Sequence, residues 1–320
     1  MDLARFGLTS RPFRPTPDTN AYFASCTHES ALNSLQHAFA NQEGLALLDS
    51  EPGLGKTLIA LKFLEDLPSD VPRLFIPSAR FGRAADLFQT ILFDHDAPYQ
   101  GMTEHELRLA VTDLLLKRLS SDVPTVIVFD EAQHLTSELL EEIRLLGNLE
   151  RRTTKAVFVV LIAQGSLRER LYHPDLDAFN QRIGVRCQLE RLSADESATY
   201  LVHQLTKAGS RTGDVITDEA LTLCARSCQG RPRLMNQVAH LALTMSDGAG
   251  ERRVDTESVL EALTQLGVKT EELCEEMPIR EVGQTMPANT DDNDSSHEDK
   301  LPGGSEIRPT RSKTTKRRSA

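Results

Sequence analysis

Short runs of apolar residues recur along the first 190 positions, and between them apolar residues repeat every three to four positions. The short runs fit buried strands, whereas the longer repeat fits amphipathic helices. Strands that alternate with helices predict a parallel sheet covered on both faces, which is a three-layer α/β/α core. The predicted strands are residues 45–48, 73–76, 125–129, 156–163 and 185–189. The predicted helices are residues 29–41, 58–67, 84–93 and 138–149, together with one that opens on a capping box of Thr103 and Glu106 and continues through Leu107, Val111, Leu114 and Leu115.

The strand pattern stops near residue 193, and four helical stretches follow it. Ser193 and Glu196 form a capping box at the start of the first stretch, which extends to Lys207. The other three stretches are residues 218–228, 232–245 and 255–266. Such a unit is too small to act alone as an enzyme. We therefore predict that residues 192–268 form a small all-helical lid on a core of residues 29–191.

The two ends of the chain differ in composition from its middle. Residues 1–25 carry four aromatic residues among three prolines, so we expect residues 1–28 to be an irregular segment that packs on the core. Residues 271–300 are rich in acidic side chains, serine and asparagine, and residues 301–320 are rich in arginine and lysine. With so few apolar residues, residues 269–320 are predicted to be a disordered C-terminal tail.

Composition excludes several classes of protein. The chain has 320 residues and a formal net charge of −11, which argues against a wholly basic protein that coats nucleic acid. Its five cysteines include no CxxC pair, as is typical of a reducing compartment. There is no run of eighteen apolar residues and no secretory signal at the N-terminus. We therefore expect a cytoplasmic protein without a transmembrane segment.

A phosphate-binding loop follows the first predicted strand. Gly53 and Gly55 allow backbone N–H groups to close around a polyphosphate, at the positive end of the helix that follows. Lys56 then reaches the β and γ phosphates, and Thr57 is a ligand for Mg²⁺. Ser50 stands where the usual motif has its first glycine. The predicted nucleotide-binding residues are Pro52, Gly53, Leu54, Gly55, Lys56, Thr57 and Leu58.

Two carboxylates follow the strand at residues 125–129. Side chains at the carboxyl end of a central parallel strand lie where ligands bind in open α/β sheets. Asp130 fits the Mg²⁺-orienting acid of a Walker B motif, and Glu131 fits the general base that activates water. ATP and Mg²⁺ are therefore the predicted substrate and cofactor.

The order of P-loop, acidic strand end, apolar strand and helical lid resembles the AAA+ ATPases. Within them the chain is similar to the ATPase domain of the general secretion pathway A proteins, and ATPases that regulate DNA transposition share the same core. The resemblance covers roughly residues 3–266. It rests on Phe6-Gly7-Leu8, Arg11-Pro12-Phe13, Thr16-Pro17-Asp18, Phe129-Asp130-Glu131-Ala132-Gln133, Gln181-Arg182-Ile183 and Gly230-Arg231-Pro232-Arg233-Leu234-Met235-Asn236.

The resemblance implies further roles. Gln164, at the end of the strand expected beside the Walker B strand, would hold the attacking water as a sensor. Arg233, at the start of a lid helix, would contact the γ-phosphate and couple lid position to nucleotide state. Arg182 or Arg186 would be an arginine finger supplied to a neighbouring subunit, so the resemblance also implies a homo-oligomer.

Two functions remain open from the sequence. One is an ATPase motor or switch for a secretion or envelope-associated machine, with a protein partner and a cytoplasmic place that includes the periphery of the inner membrane. The other is a DNA-dependent ATPase that assembles on double-stranded DNA. A nucleotide-gated scaffold without turnover is disfavoured because Asp130 and Glu131 are both present.

Overall fold

The protein was analysed as a computed structural model that describes residues 2–119, 123–210 and 212–268. The predicted disordered tail, residues 269–320, lies outside the described residues. No helix in the described part of the chain is long and apolar enough to cross a bilayer.

The centre of the structure is a five-stranded parallel sheet with the strand order β2-β3-β6-β1-β7. Its strands are β1 (Leu45–Asp49), β2 (Arg73–Ile76), β3 (Thr125–Phe129), β6 (Val157–Ala163) and β7 (Ile183–Gln188). The register pairs Asp49 with Ala163 and Phe129 with Leu161. The strands β1, β3 and β6 therefore end at one edge of the sheet, and the residues that follow them lie close together.

The α-helices of the core precede or follow these strands along the chain. They are α1 (Cys26–Ala40), α2 (Lys56–Asp66), α3 (Ala84–Asp94), α4 (Glu104–Arg118), α5 (Ser137–Gly147), α6 (Gly165–Leu171) and α7 (Asp177–Asn180). After β7 the chain adds α8 (Ala194–Lys207), α9 (Thr212–Val215), α10 (Asp218–Ser227), α11 (Pro232–Ala249) and α12 (Thr256–Gln265).

Alternate residues of the central strands face two separate apolar layers. Leu45 and Leu47 pack with the cluster that includes α3, α4 and α5, whereas Ala46 and Leu48 pack with the cluster that includes α1 and α2. This alternation follows from the period of two in a strand, and both faces are apolar because both are covered. The structure confirms the predicted three-layer α/β/α core.

A third apolar cluster joins α8, α10, α11 and α12, and it corrects the prediction for the N-terminal segment. Phe6, Leu8 and Phe13 are buried in this helical cluster rather than against the α/β core. Only Tyr22 of the N-terminal aromatics packs beside the sheet. The small helical unit offers an apolar face that the N-terminal segment covers, and the backbone N–H of Thr9 donates to Ala208 O at 2.8 Å.

A backbone hydrogen bond connects the first residue of the helical unit to the loop before α11. The N–H of Leu192 donates to the carbonyl oxygen of Gly230 at 2.9 Å. Gly230 has φ +70°, and a Cβ atom there would lie 2.0 Å from Leu192 O. Only glycine fits this contact, because any side chain would overlap the neighbouring backbone.

Several elements differ from the sequence-based expectation. The strands β4 (Glu150–Arg151) and β5 (Thr154–Lys155) form an antiparallel hairpin before β6 that was not predicted. Its two-residue strands are polar, so they carry no apolar alternation. The short helices α6, α7 and α9 were also missed. Helix α1 starts at Cys26 rather than at Glu29, because Ser25 caps it by accepting a hydrogen bond from the N–H of His28.

Candidate nucleotide-binding site

The P-loop is the turn between β1 and α2. Gly53 and Gly55 have φ values of +84° and +97°, which residues with a side chain rarely adopt. The buried side chain of Leu54 anchors the middle of the turn in the apolar layer beneath it. The turn therefore presents its backbone N–H groups at the start of α2, as the sequence motif requires.

Lys56 is buried, and its ammonium group is hydrogen-bonded within the P-loop itself. Its Nζ donates to Ser50 O at 2.9 Å, to Ser50 Oγ at 3.1 Å and to Glu51 O at 3.0 Å. Burial lowers the pKa of Lys56, while the nearby charges of Glu131 and Asp49 act in the opposite direction. The serine at the usual glycine position thus supplies an additional acceptor for the lysine.

Thr57 and Asp130 form a pair of oxygen ligands next to the loop. Thr57 Oγ1 donates to Asp130 Oδ2 at 2.6 Å, and the N–H of Glu131 donates to Asp130 Oδ1 at 2.8 Å. Burial raises the pKa of Asp130, and these two hydrogen bonds oppose that rise. A hydroxyl and a carboxylate suit Mg²⁺, which takes few protein ligands and completes its shell with phosphate oxygens and water. Among the described residues, no group of three or more His, Cys, Asp or Glu side chains could hold a metal ion.

Glu131 and Gln164 meet at the same edge of the sheet. Gln164 Nε2 donates to Glu131 Oε2 at 3.2 Å. Glu131 has a left-handed backbone, with φ 55° and ψ 39°, and its carboxylate also accepts a hydrogen bond from Gln133 Nε2. The structure therefore places the predicted base and the predicted sensor in direct contact.

Arg233 lies on the opposite side of the P-loop, at the start of α11. Its backbone N–H donates to Gly53 O at 3.2 Å. A Cβ atom on Gly53 would lie only 3.0 Å from the Cβ of Arg233, so glycine also allows the helical unit to approach the loop. The guanidinium is exposed and makes no hydrogen bond or ion pair to the residues that the structure describes.

Glu51 of the P-loop forms ion pairs with Arg231 of the helical unit and with Arg191 at the end of the core. Arg191 Nη2 lies 2.8 Å from Glu51 Oε2, and Arg231 Nη2 lies 3.6 Å from the same oxygen. The bond from Arg191 holds the pKa of Glu51 below its usual range. Because these side chains are partly exposed, the contact is screened by solvent and salt.

A cavity of about 1020 Å³ lies between the P-loop, the helical unit and the N-terminal segment. Lys56, Thr57, Glu131, Gln164 and Arg233 all contribute to its wall. The rest of the wall includes Phe13, Pro17, Tyr200, Asn236 and His240. The cavity is therefore much longer than the phosphate loop and can hold a nucleotide with its base and sugar.

The two arginine-finger candidates lie away from this cavity. Arg182 comes directly before β7, whose first residue, Ile183, pairs with Leu45 at the start of β1. Arg182 is thus at the edge of the sheet opposite the P-loop. Arg186 Nη2 donates to Asn180 O at 2.9 Å and to Asn180 Oδ1 at 2.7 Å, whereas the side chain of Arg182 has no hydrogen bond or ion pair within the described ranges. The structure does not bring either arginine to the site of its own chain.

Sequence reasoning missed two residues that touch the site. Gln133 contacts Glu131, and the available signal was its place two residues further along the same polar turn. His28 is buried under the P-loop, where its Nε2 lies 2.8 Å from Leu54 O and its Nδ1 lies 2.5 Å from Ser25 Oγ. Burial lowers the pKa of His28. Nothing in the sequence pairs His28 with a loop 26 residues away.

The chain is similar to known proteins in sequence and in fold. Residues 37–171 match the AAA domain family. General secretion pathway protein A of Aeromonas hydrophila is 32% identical to this chain over 250 residues, which is 78% of this chain and 45% of that protein. The chain thus spans less than half of that relative's length.

Solved structures share the fold at low sequence identity. Cdc6p from Pyrobaculum aerophilum has a TM-score of 0.63 at 16% identity, over 87% of this chain and 75% of that chain. The Drosophila ORC structure bound to DNA has a TM-score of 0.59 at 17% identity, over 85% of this chain and 66% of the chain compared. The P-loop, the acidic strand end, the AAA domain match and the Aeromonas relative together show an AAA+ P-loop ATPase domain that resembles general secretion pathway protein A, and the solved structures show the shared fold.

Proposed function

We propose that this chain hydrolyses Mg-ATP as part of a homo-oligomer and serves as a motor or switch for a secretion or envelope-associated machine. One observation carries the proposal: Lys56, Thr57, Glu131 and Gln164 line one cavity at the carboxyl edge of the sheet, and Asp130 is hydrogen-bonded to Thr57 there. This set contains a phosphate ligand, a metal ligand pair and a base, which are the groups that phosphoryl transfer to water needs.

Each group has a distinct part in the reaction. Backbone N–H groups of the P-loop and the ammonium of Lys56 bind the phosphates, and Thr57 with Asp130 would hold Mg²⁺. The ion supplies neutralisation of the charge that develops on the phosphate oxygens. Glu131 accepts the proton of the attacking water, and Gln164 helps to place that water.

Arg233 reports the nucleotide state to the helical unit. The guanidinium is free of partners among the described residues, while its backbone is already held against the P-loop. A charge-assisted bond to the γ-phosphate exists only with the triphosphate. The position of α11 relative to the P-loop then differs between ATP and ADP.

Arg182 completes the site of a neighbouring subunit. Its place at the far edge of the sheet excludes a role in its own cavity, and Arg186 is held by Asn180. A finger supplied in this way typically adds about 10³ to 10⁵ to the rate. We therefore propose Arg182 rather than Arg186 as the finger.

The test is the dependence of activity on assembly. Specific activity per subunit should rise with protein concentration, and Arg182→Ala should bind ATP but turn it over very slowly. A mixture of Arg182→Ala with Lys56→Ala should recover activity, because some interfaces then combine an intact finger with an intact P-loop. Activity that is independent of concentration, with a mixture no better than its parts, would remove the trans arrangement.

We propose the machine on which this ATPase acts from the name of its relative. General secretion pathway protein A is named for a secretion process, and this chain resembles it over most of its own length. We propose a cytoplasmic place, including the periphery of the inner membrane, with a protein partner of that machine. Stimulation of the ATPase by inner-membrane vesicles, but not by protein-free lipid vesicles, would support a protein partner there.

A second candidate function is a DNA-dependent ATPase. The observation that favours it is the β4–β5 hairpin, where Arg151 and Arg152 are exposed and have no ion pair in the described part of the chain. In the same hairpin Lys155 holds the pKa of Glu150 below its usual range, and the charge of Arg182 acts in the same direction. Clustered arginines bind phosphate backbones in a salt-dependent manner.

Double-stranded DNA separates the two functions. If DNA is the partner, it should raise the ATPase rate, and the effect should fade with added salt. Arg151→Ala together with Arg152→Ala should remove that stimulation and leave the basal rate intact. No stimulation at low salt would leave the secretion-associated function as the sole proposal.

A further inference from the structure

A closed set of hydrogen bonds connects Glu131, Gln133 and Gln164. Gln133 Nε2 and Gln164 Nε2 both donate to Oε2 of Glu131, the second at 3.2 Å. The backbone N–H of Gln164 donates to Oε1 of Gln133 at 3.3 Å. Gln133 thus bridges the base on one strand end and the sensor on the next.

This arrangement fixes which way the Gln133 amide points. A backbone N–H can only donate, so the atom facing Gln164 N must be the amide oxygen. The amide nitrogen is then left to face Glu131, where the carboxylate can only accept. Both ends of the amide are matched, and a flipped amide would lose both hydrogen bonds.

The backbone on either side of Gln133 is also held. Arg170 of α6 donates from Nη1 to Gln133 O at 2.9 Å and from Nη2 to Leu135 O at 2.8 Å. Ala132, between the base and Gln133, is completely buried. The turn that carries Gln133 is therefore anchored to the helix after the sensor strand and to the core.

The base itself is in an unusual conformation that these contacts maintain. Glu131 has φ 55°, and a residue with a side chain adopts this region infrequently. Two donors occupy its Oε2, whereas no described residue donates a hydrogen bond to its Oε1. Glu131 lines the nucleotide cavity, so the oxygen without a protein donor is the one available to a water.

We infer that Gln133 is a positioning residue for ATP hydrolysis, which orients the carboxylate of Glu131 by holding Oε2 and leaving Oε1 to accept the proton of the attacking water. The inference rests on the proposed role of Glu131 as general base. Gln133 touches neither the nucleotide nor the water; it acts through Glu131. Its loss should therefore change turnover and spare nucleotide affinity.

The decisive variant is Gln133→Glu, which has nearly the same shape. It can still accept from the N–H of Gln164 but, when ionised, it cannot donate to Glu131 and repels it. The turnover number kcat should fall about 10- to 100-fold, the range that misplacement of a catalytic group costs. The dissociation constant for ATP should remain within about 2-fold of the parent. If the charged variant folds poorly, Gln133→Ala, which removes both contacts, should show the same fall in kcat with an unchanged dissociation constant for ATP.

A double variant separates positioning from a general effect on structure. With Glu131→Gln already present, adding Gln133→Ala should lower kcat no further, because the group that Gln133 orients is gone. Gln265→Ala, an exposed glutamine at the end of α12, serves as the control and should match the parent. Additive losses in the double variant would show that Gln133 acts elsewhere and would overturn the inference.

Two further outcomes distinguish this inference from the function on which it rests. If Glu131→Gln lowers kcat but Gln133→Glu and Gln133→Ala do not, Gln133 does not position the base, while the assignment of Glu131 stands. If Glu131→Gln itself hydrolyses ATP at the parental rate, the proposed base is wrong and the inference about Gln133 falls with it.

Discussion

The two sides of the nucleotide cavity are built in different ways. On the core side, Thr57 and Asp130 are joined at 2.6 Å and Glu131 is held by two amides, at strand ends that are fixed by the sheet. On the helical side, Arg233 makes only a backbone bond to Gly53, and Arg231 approaches Glu51 at 3.6 Å. The proposed catalytic groups are thus hydrogen-bonded to one another, whereas the side chain of Arg233, the proposed sensor, has no hydrogen-bond or ion-pair partner among the described residues.

The largest effect should come from the core side, at Lys56. Lys56→Ala removes the charged donor that binds the β and γ phosphates, so ATP and ADP binding should both be lost. The measurement is isothermal titration calorimetry, with far-UV circular dichroism to show that the fold persists. Lys62→Ala is the matched control on the same helix, and ordinary affinity in the Lys56 variant would contradict the site.

Glu131→Gln should have the next largest effect, on rate alone. The amide keeps the shape of the carboxylate but cannot accept a proton, and loss of a positioned base costs about 10² to 10⁴ in rate. Binding of ATP should remain. Steady-state phosphate release measures the loss, with Glu138→Gln on the exposed surface of α5 as control; a parental rate would place the base elsewhere.

Arg233→Ala tests the helical side, and its effect should be on the difference between two states. The distance between α11 and the P-loop should change less between ATP and ADP than in the parent, because the γ-phosphate contact is gone. Spin labels on exposed positions of the core and the helical unit measure that distance. Arg226→Ala, on the exposed side of α10, should keep the parental difference; the same difference in Arg233→Ala would remove its sensor role.

The smallest expected effect is that of replacing His28, whose imidazole is hydrogen-bonded to the backbone of the P-loop. His28→Ala leaves Leu54 O without its partner, which costs about 1 to 3 kcal/mol of unfolding free energy near neutral pH. Burial lowers the pKa of His28 in the folded state, with the charges of Glu196 and Glu29 in opposition.

The sign of the pH effect follows from that shift. As pH falls below about 6.5, the unfolded chain takes up a proton at His28 before the folded chain does, so stability falls. His28→Ala should therefore show a shallower loss of stability between neutral and acid pH, measured by denaturant unfolding. His37→Ala, exposed on the same helix, should keep the parental slope; an unchanged slope in His28→Ala would mean that its proton is not linked to folding.

Many strands and helices of the core could be predicted, because the sequence patterns that indicate them involve only neighbouring residues. The strand at residues 73–76 and the capping boxes at Thr103 and Ser193 appear in the structure where the sequence places them, since apolar runs and caps depend on neighbouring residues alone. The convergence of Asp130 and Gln164 was also accessible, because parallel strands end at one edge.

The parts that could not be predicted depend on contacts between distant segments. The N-terminal aromatics show that a segment is apolar, but not that Phe6 and Phe13 insert into the helical unit. His28 and Leu54 meet only after α1 packs beside the P-loop. The β4–β5 hairpin has strands of two residues, too short for a pattern of alternation to be visible.

A ligand that binds Lys56 must replace hydrogen bonds that its ammonium group already makes within the P-loop. Three neutral oxygens from Ser50 and Glu51 already satisfy the ammonium, so a ligand gains from this lysine only by offering something better. Phosphate oxygens carry full charge and outcompete carbonyls, whereas the hydroxyls of a nucleoside do not. We therefore expect Ser50 and Glu51 to keep their hydrogen bonds to Lys56 when the ligand is adenosine, so that this lysine adds nothing to the binding of adenosine.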